Sequence, residues 1–248
     1  MSTNERREVV QYFDGDTELE GFVAAPCSDL PRPIVLICHA WGGSEAFDRE
    51  RAEWIASLGY IGFAIDVYGK GRRGGDHASC SKLMTPFMED RALLRRRLLA
   101  SVTHGSRIAG ADSTRIAAIG FCFGGLCALD LARANAPGLL GVIAYHALFA
   151  APNLGAQPPI ACKVVAYHGW DDPMCPPDAA LGFAAEMSGA KADWQLHAFG
   201  GTLHAFTNPA ANDPSFGVKY RAIAAARAYE GSGSFFREIF GASVSAKR

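Results

Sequence analysis

The stretch Arg115–Leu126, "RIAAIGFCFGGL", decides the fold. It opens as a short apolar run and ends in a helix-compatible segment, and between them Gly120, Gly124 and Gly125 frame Cys122. A cysteine that only fills a core needs no such frame. Removing side chains on both sides of one residue suits a chain that turns sharply or admits another group at close range. With "RIAAI" as a strand and Leu126–Ala134 as a helix, Cys122 falls on a strand-to-helix turn. In open parallel sheets that is where ligands bind.

Outward from this point the pattern repeats. "IVLIC" (Ile34–Cys38), "YIGFAID" (Tyr60–Asp66), "LLGVIAYH" and "KVVAYHG" are short continuous apolar runs, the mark of strands buried on both faces. Helical segments lie between them: around Arg49–Leu58, along the stripe Leu93, Leu94, Leu98, Leu99 and Val102, near Asp178–Met187, and over Tyr220–Tyr229. "ADWQLHAF" reads as a further strand, and residues 69–83, polar and glycine-rich, as a loop. At the start, "REVVQYF" and "ELEGFVAAP" flank an Asp-Gly turn and predict a hairpin. Strands alternating with helices require crossover connections. The expected fold is α/β, a mostly parallel sheet with helices on both faces, forming one domain over residues 1–248.

Composition narrows the function. The chain has 248 residues, 49% hydrophobic, with 24 Lys+Arg against 25 Asp+Glu. No basic excess points to nucleic acid or an anionic membrane. No run of about 18 apolar residues predicts a membrane span, and "MSTNERREVV" lacks the apolar core of a signal peptide. Seven cysteines, an odd number with no C-x-x-C pair, predict a reduced, cytoplasmic protein without a cysteine zinc site. "GKGRRGGD" lacks G-x-x-x-x-G-K-[ST] and the helix that should follow a phosphate loop, and reads as solvated loop.

The frame Gly120-Phe121-Cys122-Phe123-Gly124 fits G-x-S-x-G with cysteine in place of serine, a strained turn that lifts a nucleophile clear of its surroundings. At a helix N-terminus, free N–H groups and the helix dipole favour thiolate over thiol. An oxyanion formed there would meet the N–H of Phe123 and, from the loop "HAWGG" after "IVLIC", the N–H of Trp41. A lone G-x-C-x-G is equally compatible with a small buried residue in a glycine-rich turn, so the partners decide. A cysteine hydrolase needs a base and an orienting acid, in the order nucleophile, acid, histidine. Asp171 and Asp172 follow the strand "KVVAYHG", and His204 follows "WQLHAF". All lie just beyond strand ends. His39 and His146 also sit at such ends, and Trp41, Phe121, Phe123 and Phe206 are candidates for an apolar pocket.

With these residues in view, the sequence resembles the dienelactone hydrolase family from about Tyr12 to Tyr229, through "DGDTELEGFVAAP", "PIVLICHAWGG", "LGYIGFAIDVYGKG", "RIAAIGFCFGG", "DDPMCPP" and "HAFTNP". The resemblance implies an α/β-hydrolase fold of about eight strands. It also implies ester or lactone hydrolysis without metal or cofactor, with Cys122 as nucleophile and His204 as base. The family's D-x-x-x-P pattern selects Asp172, with Pro176, over Asp171. Substrate-contact candidates are His39, Tyr145, Phe206 and Asn208. Two positions depart from the family. His39 stands where it has a glutamate thought to help generate thiolate, and Asn208 stands where it has a substrate-binding arginine. A second such arginine falls among Arg72, Arg73 and Arg91. An imidazole at position 39 beside Cys122 would raise the resting thiolate fraction. The alternatives to a hydrolase are a redox-active thiol, for which Cys127 is the nearest resolving cysteine in sequence, and a non-catalytic binding protein.

Overall fold

The Asp-Gly turn closes an antiparallel hairpin of β1 (Glu5–Asp14) and β2 (Thr17–Pro26), with Gly15 at φ 57°. The computed structural model describes residues 5–28 and 30–241; the leader reading therefore falls partly outside them, on residues 1–4. From there strands and helices alternate: β3 (Arg32–Cys38), α1 (Ala46–Ser57), β4 (Ile61–Ala64), α2 (His77–Glu89), α3 (Arg91–Gly105), β5 (Ala111–Phe121), α4 (Phe123–Arg133), β6 (Leu139–Tyr145), β7 (Lys163–Gly169), α5 (Pro177–Gly189) and β8 (Asp193–Phe199). A two-residue ribbon, β9 (Asn212–Asp213) with β10 (Val218–Lys219), precedes α6 (Ala222–Phe240).

The main sheet has eight strands in the order β1-β2-β4-β3-β5-β6-β7-β8. The hairpin joins β4 antiparallel, and all pairs from β4 to β8 are parallel. One apolar cluster lies between the sheet and α3, α4 and α5, with Phe87 of α2; the other lies under α1 and α6. The apolar runs recognised in the sequence are therefore buried on both faces because helices cover both. Among the described residues, no helix is long and apolar enough to cross a membrane.

Two helices exceed the sequence reading. The segment read as loop over 69–83 turns helical at His77. Asp76 caps it by accepting the Ser79 N–H at 2.7 Å, while Ser79 Oγ accepts the Asp76 N–H at 3.0 Å. Its buried side is sparse, Cys80 and Phe87, so the periodicity is faint. Helix α6 runs past Tyr229 through "GSGS", a sequence of poor helix formers. Packing overrides propensity there. A Cβ on Gly231 would lie 2.2 Å from the Tyr167 hydroxyl. Ser232 Oγ donates back to the Ala228 carbonyl at 2.6 Å and accepts from the Tyr145 hydroxyl at 2.5 Å.

Candidate active site

Five parallel strands, β3, β5, β6, β7 and β8, release their chains at one edge of the sheet, and the candidate residues follow their ends. Cys122 is the hinge between β5 and α4, with φ 59° and ψ −119°. For a residue with a Cβ this backbone is strained, at a cost of roughly 1–3 kcal/mol, and such strain collects at functional sites. The glycine frame explains how it is held. A Cβ on Gly120 would lie 1.9 Å from the Gly124 carbonyl oxygen, and one on Gly124 would lie 2.0 Å from the Cys38 oxygen. The Cys122 N–H donates to the Tyr145 carbonyl at 3.1 Å, pinning the turn to β6. The cysteine remains half-buried, while its neighbours Phe121 and Phe123 are buried.

His204, after β8, donates through Nδ1–H to Asp172 Oδ2 at 2.6 Å. The other carboxylate oxygen accepts the Met174 N–H at 2.8 Å, which fixes the acid's orientation. Asp171, the adjacent aspartate, is exposed and holds no imidazole. His204 is 2% exposed, and its Nε2 is sealed from solvent without a hydrogen bond of ordinary geometry. Burial alone would disfavour a proton on this ring. The negative charge of a Cys122 thiolate and the bond to Asp172 outweigh that, and push its pKa up to about 10. Cys122 and His204 line one cavity of about 550 Å³.

The raised pKa sets a pH dependence of stability. An ordinary histidine titrates near 6.5, and here the folded value is higher. The proton's contribution is complete below pH 6.5 and disappears as pH climbs towards about 10. Urea unfolding of the wild type should show stability falling across that window, and His204→Gln should flatten the slope. Equal slopes in the two proteins would contradict the assigned shift.

Of the remaining candidates, Trp41 and Asn208 also line the cavity. Among the described residues, neither the Trp41 nor the Phe123 N–H donates to any other protein group. Three expected contact residues are not brought to the cavity. His39 is fully buried, donates from Nδ1 to the Ala40 carbonyl at 2.7 Å, and accepts the Val67 N–H at Nε2 at 3.1 Å. Both ring nitrogens are thus committed, and burial lowers its pKa, so it is a neutral structural residue and not a cation beside the thiol. Tyr145 stacks between Phe121 and Tyr167 at ring distances of 4.7 and 5.5 Å, beneath α6. Phe206 follows Ala205, whose φ is 55°, and its ring turns into the same cluster against Phe199.

The arginine candidates are also elsewhere. Arg91 is buried and bonded to Asp130 at 2.7 Å, in a cluster that includes Arg133 and Glu186. Arg72 donates to the Tyr68 carbonyl and Arg73 to that of Arg72. None of the three lines the cavity. Cys127 is on α4 and faces the core, its pKa raised by burial; Cys80 is the second thiol at the cavity wall.

His146, which the sequence reading placed only at a strand end and not among the contact candidates, lines the cavity. With φ 36° it leaves β6, binds Thr207 Oγ1 through Nε2 at 2.8 Å, and sets its ring edge-on to His204 at 5.0 Å. Burial, then the charge on His204, holds its pKa well below the ordinary range, so it stays neutral beside the protonated ring. Its position one residue beyond a strand was the only available signal.

A sheet of this order, with a strained cysteine at the strand-to-helix turn and a histidine–aspartate pair at neighbouring strand ends, has the architecture of an α/β-hydrolase. The chain belongs to the dienelactone hydrolase family, which it matches over residues 19–240. That membership places it among the carboxylic ester and lactone hydrolases. The crystal structure of a dienelactone hydrolase-like promiscuous phosphotriesterase from metagenomic libraries is 32% identical, covers 95% of this chain and 98% of its own, and superposes with a TM-score of 0.89. An uncharacterized protein of Caenorhabditis elegans is 30% identical over 150 residues, 59% of this chain and 94% of its own length. A Bradyrhizobium protein named "Probable 2-oxo-3-(5-oxofuran-2-ylidene)propanoate lactonase" is 23% identical over 90% of both chains.

Proposed function

We propose that this protein hydrolyses small carboxylic esters or lactones through Cys122, His204 and Asp172. The observation that carries the reading is the 2.6 Å His204–Asp172 bond, set in the same cavity as a cysteine on a strained turn. Asp172 holds the proton on Nδ1, which leaves Nε2 to take the Cys122 proton. The thiolate adds to the ester carbonyl, and the Phe123 and Trp41 N–H groups receive the oxyanion. As the carbon–oxygen bond to the leaving group breaks, His204 returns the proton to the departing alkoxide, and the acyl group remains on sulfur. Water then adds to the thioester with His204 as base. Collapse releases the acid and restores Cys122.

The test is direct detection of the thioester. Rapid quenching of the wild type with p-nitrophenyl butyrate should give a p-nitrophenol burst close to one per active site. Mass spectrometry should then find the butyryl group on Cys122. Turnover without any acyl group on Cys122, together with full activity after alkylation of that thiol, would sink the assignment. The phosphotriesterase activity named for the metagenomic relative adds neutral phosphotriesters to the substrates worth assaying.

A further inference from the structure

We propose that the Cys122 cavity selects uncharged esters bearing a planar aromatic group and discriminates against anionic ones; this rests on the ester-hydrolase reading and names its substrate class. Three segments remote in sequence bring aromatic rings together at the cavity wall. Trp41 comes from the loop after β3, His77 from the first turn of α2, and Phe216 from the tip between β9 and β10. Trp41 and Phe216 lie nearly parallel, with centroids 6.0 Å apart and planes at 18°. His77 closes the group at 5.3 Å from Trp41 and 4.2 Å from Phe216. Phe216 is 38% exposed, so part of its ring stays open to a group entering the cavity. A flat apolar group entering the cavity would cover that ring and gain stacking contacts.

Charge supplies the second constraint. The lining carries the acidic side chains Glu45, Asp76 and Asp48, the last with its pKa raised by burial to about 7, and, among the described residues, neither lysine nor arginine. Asp76 is held ionised by its bonds to Ser79. The imidazole of His204 is already bonded to Asp172. A substrate carboxylate would therefore shed its water with no cation to receive it, against groups of its own sign. Asn208 offers a neutral amide, and its Oδ1 is already turned to the Ala210 N–H at 2.9 Å.

The experiment compares p-nitrophenyl butyrate with p-nitrophenyl hemisuccinate, in which a carboxylate replaces the terminal methyl. Rates are referred to hydroxide-catalysed hydrolysis of each. We expect kcat/KM for the hemisuccinate to be lower by at least about tenfold. The gap should narrow in Glu45→Gln/Asp76→Asn, which keeps a capping residue on α2. Phe216→Ala should raise KM for the butyrate about 3- to 10-fold with kcat unchanged. Binding to Cys122→Ala reads the same preference without turnover: by calorimetry, nitrobenzene should bind at least about tenfold more tightly than p-nitrobenzoate. Equal treatment of the charged and neutral members in both assays, or an unchanged KM in Phe216→Ala, overturns the proposal. If no acyl group forms on Cys122, the reading beneath fails separately, and the calorimetric comparison still decides the selectivity.

Discussion

Cys122→Ala is expected to lower kcat for p-nitrophenyl butyrate by about 10⁵- to 10⁶-fold, to a residue of activity owed to binding and oxyanion stabilisation alone. The size follows from the chemistry. Without sulfur no covalent intermediate forms, and the only nucleophile left is water. Among the described residues, the cavity holds no second thiol poised to replace Cys122: Cys80 is a wall residue whose pKa is raised by burial, and it does not sit on a strained turn. Alanine at this position keeps the Cβ that the φ 59° backbone already tolerates, so the fold should survive and the loss should be chemical. Thermal melting of the variant checks that, and near wild-type hydrolysis by a folded Cys122→Ala would remove Cys122 from the mechanism. The same variant should release the histidine. With the sulfur's charge gone, the cause that most raises the His204 pKa disappears, and NMR titration of its ring should show a lower value.

The sequence announced the parts of this molecule that depend on local chemistry. The apolar runs became β3 to β7 because strands covered on both faces leave no room for polar alternation. The elbow was legible because only glycine fits at 120 and 124, where a Cβ would strike backbone within about 2 Å. What remained hidden depends on contacts between distant segments. The cavity wall made by α2 and by Phe216 has no periodicity to betray it, since few of its residues face a core.

The misplaced contact residues share a cause, which is parity at strand ends. Tyr145 and His146 are neighbours, yet the backbone at the end of β6 sends one ring into the α6 cluster and the other into the cavity. Ala205 and Phe206 repeat this after β8. A one-residue offset decides between core and site, and position after a strand does not resolve it. The identity of residue 39 likewise could not reveal that both its nitrogens serve neighbouring backbone.

Asp172→Asn carries the second large effect, about 10³- to 10⁴-fold in kcat with KM little changed. The two carboxylate oxygens have different duties: Oδ1 accepts the Met174 N–H, and Oδ2 accepts the His204 Nδ1–H. An asparagine can satisfy the first with its carbonyl oxygen, so the fold and the acid's rotamer should persist. It then presents an NH₂ to His204, where a donor meets a donor. Relief comes if the imidazole moves its proton to Nε2 and accepts at Nδ1, but that tautomer can no longer take the Cys122 proton. Removing the aspartate charge also removes one of the groups that holds the ring protonated, so the His204 pKa should fall in the variant. The two consequences separate a triad from simple packing. A structural aspartate would lose stability on substitution and leave the histidine titration where it was. An orienting acid would lose rate, keep its fold, and shift that titration downward. Asp171→Asn is the internal control, because its exposed carboxylate holds no imidazole and its variant should retain wild-type kcat.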